Sequence, residues 1–282
     1  EERKMLQETV ARFFENNYKD INKRSEYLEM NDGFSRDFWK ESSNLGVISG
    51  LISPSFGGLG GSGEDISIIF ELIGKSLCIE PFLSSGLLSS TILTSIKNPK
   101  TELINQIIDG KLLISFAHME MNNRYEDHSV DTKAFLEDDN WKLNGSKSFV
   151  INGDSADKVI VSARIDGEIN DKNGIGLFLV DTNQITRRTY NTIDGYRAAE
   201  LNFDNVNAEL LCKNDLALEC IIKANSAGAL ALSAEAVGIM QVCFDLTLDY
   251  LKTRKQFGKS IGAFQSIQHR MVDMMLEIEQ VK

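Results

Sequence analysis

Proline and histidine are scarce here, with three of each in 282 residues, and cysteine, tryptophan and positive charge are also in short supply. With 30 Lys and Arg against 41 Asp and Glu, the net charge of −11 excludes nonspecific nucleic-acid binding, which needs a cationic surface. It leaves phosphate-bearing ligands open, because a few local Arg and Lys suffice for them. Cys78, Cys212, Cys220 and Cys243 lack metal-ligand spacing, so no metal site is expected, and they read as reduced core residues of a cytoplasmic protein. No apolar run looks long enough to span a membrane, and no charged-then-apolar leader opens the chain. The few prolines beside many Asn, Lys and Ile reflect genomic base bias rather than function. The start, Glu1-Glu2-Arg3-Lys4-Met5, has no initiator Met, and a helical pattern is still running at Lys282, so both ends read as cut.

A chain of this length exceeds what one hydrophobic core usually supports, which predicts two or three domains. From residue 5 to about 110 the apolar spacing is helical. Met5, Leu6, Val10, Phe13 and Phe14 share one face; a helix is expected from Ser35 to Leu45, and another from Glu64 to Leu77 buries Ile66, Ile69, Phe70 and Ile73. Between them, the glycine-rich stretch from Ser53 to Gly63 has neither the Gly-Lys-Ser/Thr ending of a phosphate loop nor a dinucleotide fingerprint. It reads as a turn leading into a helix. The pattern changes at Gly110. Runs at 112–117, 132–136, 141–143, 159–163, 176–180 and 200–206 have strand character, with a hairpin turn at Asp138-Asp139-Asn140. Helix returns after Asp215, where 217–251 is Ala-rich and apolar nearly all round, with Gly228 and Gly238 permitting close approach of a neighbour. The expected fold class is α+β: an N-terminal helical domain (1–112), a central antiparallel β domain (113–208) and an incomplete C-terminal helical domain (209–282).

Pattern alone locates no chemistry. His118 ends a strand, His128 lies in the polar run 126–129, and His269 is a helix residue beside Gln265 and Gln268, so no catalytic triad or dyad emerges. The motifs go further. Tyr250-Leu-Lys-Thr-Arg254-Lys255-Gln256-Phe257-Gly258, followed by Phe264-Gln265 and Gln268-His269, resembles the C-terminal signature of the acyl-CoA dehydrogenases. Pro54-Ser55-Phe56-Gly57-Gly58, Phe116-Ala-His118-Met119-Glu120, Asn144-Gly-Ser-Lys147-Ser-Phe149-Val150-Ile151-Asn152 and Asp194-Gly-Tyr-Arg197 are similar to that family's segments, in the family's order.

The resemblance implies an FAD-dependent oxidoreductase of fatty-acid metabolism that desaturates an acyl-CoA thioester at Cα–Cβ. It also implies electron transfer to an electron-transfer flavoprotein and assembly as a homo- or hetero-tetramer with a related chain. The flavin ring is then expected between the β domain and the C-terminal helices. Phe116, His118 and Met119 would edge it, Phe149 would wall it, and backbone N–H groups around His118, Met119, Val150 and Ile151 would hydrogen-bond it. Arg254, with a planar fork suited to a diphosphate, together with Gln256, Phe257 and Gln265, would hold a flavin bound mainly by a neighbouring subunit. Taken alone, Arg254-Lys255 reads instead as a solvated helix end.

Departures accompany the likeness. Met119 and Ile151 stand where many relatives have Thr, and Ser226-Ala227-Gly228-Ala229 replaces an Asp-x-x-Arg that meets straight-chain substrates. The catalytic base is unknown: a Glu is expected beyond Lys282, the alternative position falls on Gly228, and Glu235 is about two turns away. Ile114-Ser-Phe-Ala-His118 and Asn152-Gly-Asp-Ser-Ala-Asp157 are most similar to the small subunit of pimeloyl-CoA dehydrogenase and comparable paired enzymes. Two rival readings stand beside the dehydrogenase: a non-catalytic partner subunit, and a flavin oxidase or monooxygenase of the same fold.

Overall fold

The computed structural model describes residues 2–18, 20–122 and 125–282, with side chains from Gln7 onward. The N-terminal part comprises α1 (Glu2–Tyr18), α2 (Ile21–Leu28), α3 (Arg36–Asn44), α4 (Gly63–Ser76), α5 (Ser90–Ser95) and α6 (Thr101–Ile108). A π-helical turn (Phe82–Ser89) runs into α5. Ser35 caps α3 by accepting a hydrogen bond from Phe38 N–H, and Ser62 with Asp65 forms a capping box on α4. Ile66, Ile69, Phe70 and Ile73 are buried on α4, as are Val10 and Phe14 on α1; Met5 and Leu6 lie outside the described side chains. The glycine-rich stretch is a turn. Gly58, Gly60 and Gly61 donate their N–H groups to Ser53, Ile52 and Gly50 carbonyls, so no row of free donors faces a phosphate. A Cβ on Gly58 would lie 1.8 Å from the Ile52 carbonyl oxygen, so only glycine fits.

Seven strands follow: β1 (Ile114–Ala117), β2 (Lys133–Glu137), β3 (Asn140–Ile151), β4 (Lys158–Arg164), β5 (Ile175–Asp181), β6 (Thr186–Asn191) and β7 (Arg197–Lys213). β2 and β3 form the expected hairpin, and Asp138 and Asp139 both take the positive φ that a two-residue I′ turn requires. The expectation of a wholly antiparallel domain is corrected by the register. β1 runs parallel to β4, with Ile114 opposite Lys158 and Ala117 opposite Val161, and β2 meets β4 in parallel at Lys133 and Arg164. Lys133 meets Arg164, three residues past the partner of Ala117, so β2 continues in β1's direction from near the end where β1 stops, and β4 takes that direction again after β3's reversal. The sheet closes on itself through β4, β2, β3, β7 and β5, with β1 joined to β4 and β6 to β7. Val150, Val161, Phe178 and Leu201 belong to the apolar cluster at its centre.

The helix α7 (Asp215–Thr253) has 39 residues, about 58 Å at 1.5 Å per residue. It lies so close to α4 that glycine is needed on both. A Cβ on Gly74 would sit 2.0 Å from the Glu235 carbonyl oxygen, and one on Gly238 2.1 Å from that of Glu71. Gly238 thus does what its sequence context predicts. The expectation that no run is long enough to span a membrane is corrected on length and composition alone: α7 is long and apolar enough to cross one, a property that core helices share. Part of that apolar surface packs against α4 and the π-helical turn, while Leu232, Leu246 and Tyr250 are exposed. After a two-stranded hairpin, β8 (Lys255–Gln256) and β9 (Lys259–Ser260), α8 (Gln265–Val281) packs against α7.

Candidate functional site

One cavity, about 440 Å3, opens where the end of β1, the end of β3, the π-helical turn and the first half of α7 meet. Phe116, His118 and Met119 enter it from β1 and Phe149 and Ile151 from β3. The β3–β7 register shifts between Lys147 and Val150, which takes Ser148 and Phe149 out of the pairing. Ser148 N–H bonds instead to the Met119 carbonyl oxygen at 2.8 Å, tying the two strand ends together. Phe149 then holds φ at +50°, an uncommon backbone for an aromatic residue, and its half-exposed ring walls the cavity. Val150 differs from its neighbours: its side chain is buried in the barrel cluster and does not line the cavity.

A buried polar network backs the β1 wall. Lys147, wholly buried, donates to Glu120 Oε1 at 2.6 Å, Ser162 Oγ at 3.0 Å and the His118 carbonyl oxygen at 3.1 Å. Burial lowers the Lys147 ammonium to about 8, with the Glu120 charge opposing that shift. Burial would raise Glu120, but the Lys147 charge and the hydrogen bonds from Lys147 and Thr132 outweigh it and hold its carboxyl below the usual range. Burial and the Lys147 charge together push the His118 imidazole down to about 3, so it is neutral at physiological pH. Its Nδ1 lies 2.8 Å from Ser162 Oγ, its ring stacks on Phe116, and its Nε2 is buried without a protein partner.

The helix wall is uncharged. Asn225, Gly228, Ala229 and Leu232 supply it, and Leu83, Ser84 and Leu88 of the π-helical turn close one side. Two residues of the β1–β2 connection, Tyr125 and Asp127, also border the cavity. The sequence reading gave Tyr125 and Asp127 no role, because what ties them to the site is long-range: Asn225, 98 positions from Asp127, whose Nδ2 donates to Asp127 Oδ1 at 2.5 Å. Glu235 is not at the cavity. Burial, then the Asp194 charge, raises its carboxyl to about 7.

Arg254, Gln256, Phe257 and Gln265 form a second, separate group. Arg254 ends α7, about 39 Å along the helix from Gly228 at the cavity, so the two groups do not meet within one chain. The break between α7 and α8, residues 254–264, contains the β8–β9 hairpin, with Phe257 at φ +52° and Gly258 at +77° in an I′ turn. All four side chains are exposed, Phe257 at 90%. Its ring meets Phe264 edge-on at 6.2 Å, and the Lys259 ammonium sits over Phe264 at 4.3 Å.

The cofactor implied by the motifs is FAD, whose ring is flat, apolar on its faces and edged with hydrogen-bonding atoms. The cavity has aromatic and aliphatic walls and one buried nitrogen, His118 Nε2, lacking a partner, and these residues fit such a ring. Profiles of the acyl-CoA dehydrogenase N-terminal, middle and C-terminal domains match residues 1–98, 115–206 and 218–282. The mitochondrial isovaleryl-CoA dehydrogenase of Pongo abelii is 28% identical over 97% of this chain and 68% of its own length. Two solved structures share the fold: the ChsE4–ChsE5 complex from Mycobacterium tuberculosis, with TM-score 0.84 and 20% identity over 99% of this chain and 74% of that one, and the FAD complex of PigA, with TM-score 0.84 and 22% identity over 99% and 76%. Matched by all three domains in order, the chain belongs to the acyl-CoA dehydrogenase family, which is FAD-dependent.

Proposed function

We propose that this chain takes part in the FAD-dependent α,β-desaturation of an acyl-CoA thioester, with electrons passing to an electron-transfer flavoprotein. The cavity carries this reading: an apolar slot between two strand ends and a helix wall of small residues. When bound there, FAD supplies the hydride-accepting ring. The chain's own residues do the rest. Phe116, Met119, Phe149 and Ile151 bind the ring's faces and exclude water, while Gly228 and Ala229 leave room at the helix wall for a thin acyl chain. Loss of hydride from Cβ needs a carboxylate to take the α proton. Among the described residues Asp127 is the carboxylate bordering the cavity, and Asn225 already engages it. The base is therefore assigned to no residue of this chain. In the same reading Arg254, Gln256, Phe257 and Gln265 hold the diphosphate and adenosine of a neighbouring subunit's flavin in a cytoplasmic tetramer, consistent with their exposure far from the cavity.

The uncharged wall around Ser226 to Ala229 favours a second reading, a partner subunit that does no chemistry itself. Anaerobic titration of the complete, purified protein with a panel of acyl-CoA thioesters separates the two. Bleaching of a yellow protein by one thioester supports the dehydrogenase. A colourless protein that gains flavin only when mixed with a homologous chain supports the partner subunit. Rapid reoxidation of the reduced protein by oxygen supports the oxidase or monooxygenase reading.

A further inference from the structure

We propose that the His118 side chain is the polar anchor of the cavity: an imidazole protonated at Nε2, whose N–H is held for an acceptor atom on the edge of the bound ring. The identity of that ring, flavin, rests on the function proposed above. The tautomer follows from counting hydrogens. Lys147 has three donors and no acceptor, and three acceptors surround it: Glu120 Oε1, Ser162 Oγ and the His118 carbonyl oxygen. Ser162 Oγ receives a hydrogen from Lys147 and must place its own. The acceptor within reach is His118 Nδ1, at 2.8 Å. Nδ1 therefore accepts, and the ring hydrogen resides on Nε2. The opposite tautomer would strand two buried groups, the Ser162 hydrogen and the Nε2 lone pair, in place of one, and such orphans are rare.

Neither ring nor hydroxyl is free to turn away. Ser162 is wholly buried, and the His118 and Phe116 rings lie 5.6 Å apart with planes 5° from parallel. Glu120 fixes the outer end of the relay by accepting from Thr132 Oγ1 and from the N–H groups of Asp131 and Thr132. His118 is 6% exposed, and its Nε2 is the buried polar atom without a partner on this wall. The other cavity residues from β1 and β3, Phe116, Met119, Phe149 and Ile151, bring no polar side-chain group that competes for a ligand's acceptor. With Lys147 beside it the imidazole stays neutral, so it donates a hydrogen bond and not a proton. Lys147, Ser162 and Glu120 are positioning residues; His118 touches the ligand.

The test is 15N NMR of the complete protein labelled in its histidines, with the His118 signals assigned by their absence in His118→Gln. The expected result without FAD is a neutral, Nε2-protonated ring that does not titrate between pH 5 and 8, and a shift of the Nε2 resonance once FAD is added. Ser162→Ala should lose the fixed tautomer and Ser162→Thr, which keeps the hydroxyl, should restore it; a merely structural serine would not move that signature. In fluorescence titration His118→Leu should weaken FAD binding about three- to tenfold, the range for one buried neutral hydrogen bond. An Nδ1-protonated ring, or a ring titrating near pH 6.5, overturns the proposal. FAD binding that leaves Nε2 unmoved overturns the anchor and spares the flavin reading. Failure of the wild-type protein to bind FAD overturns both, whatever the tautomer.

Discussion

The first half of α7 and its C-terminal end each lie near an aromatic residue held at positive φ, Phe149 and Phe257 respectively, and the surroundings of the two are opposite. Around Phe149 the chain supplies its own support: strand ends tied through Ser148 and Met119, and a buried lysine whose three donors are all used. Around Phe257 nothing is enclosed, and Arg254, Gln256 and Gln265 extend into solvent. The first region is preorganised by this chain, with one donor left for a ligand. The second is a presenting surface, with charge and an aromatic ring displayed on a tight hairpin. The contrast explains how one family signature can be spread over two places that never meet in a single chain.

The contrast breaks most readily at Lys147. Lys147→Met should destabilise the protein by about 3–5 kcal/mol, because it leaves Glu120, with 9% of its side chain exposed, without its cation. Chemical denaturation measures this, and a loss under about 1 kcal/mol would mean that the β1 wall is not organised by the pair. A second buried carboxylate sharpens the point. Glu80 is 1% exposed and faces the Tyr18 hydroxyl at 2.7 and 2.9 Å, no cation among the described residues pairs with it, and burial raises it from 4.5 to about 7. The folded state thus binds this proton more tightly than the unfolded one. Its stabilisation is complete below about pH 4.5 and is lost as pH rises to about 7, a span of about 3 kcal/mol. Glu80→Gln should flatten that slope in denaturation curves taken across the window. Next in size, Arg254→Ala should leave unfolding within about 0.5 kcal/mol of wild type. It should also weaken flavin retention in the assembled protein about ten- to a hundredfold, as loss of a charged hydrogen bond does. Unchanged retention would leave the far end of α7 with no part in the site.

Local signals in the sequence were enough for the elements that own their boundaries. Apolar spacing announced α3 and α4, and Asp138-Asp139 announced the β2–β3 hairpin, because each signal acts within a few residues. The motif residues Phe116, His118, Met119, Phe149 and Ile151 were legible as a group, and they do meet at one cavity. What escaped is long-range. The parallel pairing of β1 with β4 depends on β2 keeping β1's direction across a long connection, and β6, Thr-Arg-Arg-Thr-Tyr-Asn, has no apolar alternation to mark it. Ser162 sits inside an apolar strand, 44 positions from the histidine it orients, so nothing nearby in sequence points to it. Val150 stands apart only in its side chain, which is buried because on a strand the neighbours of cavity residues face the other way, while its expected part is a backbone N–H.

The smallest expected effect tests the outer half of the contrast most directly. Phe257 is bulky, 90% exposed and at φ +52°, a conformation that suits glycine better than an aromatic residue. Its contact within the chain is an edge-on approach to Phe264, which returns little for that strain. Phe257→Gly should therefore be neutral or stabilising by up to about 1 kcal/mol in FAD-free protein, because relief of the backbone offsets the lost ring contact and the added chain entropy. Thermal unfolding of the two proteins side by side measures it, with FAD content after assembly as the second readout. A clear fall in Tm would mean that the ring is there for local packing, and the two regions along α7 would no longer differ in kind. An unchanged Tm with reduced FAD content would mean that the strain is carried for a ligand, as a presenting surface requires.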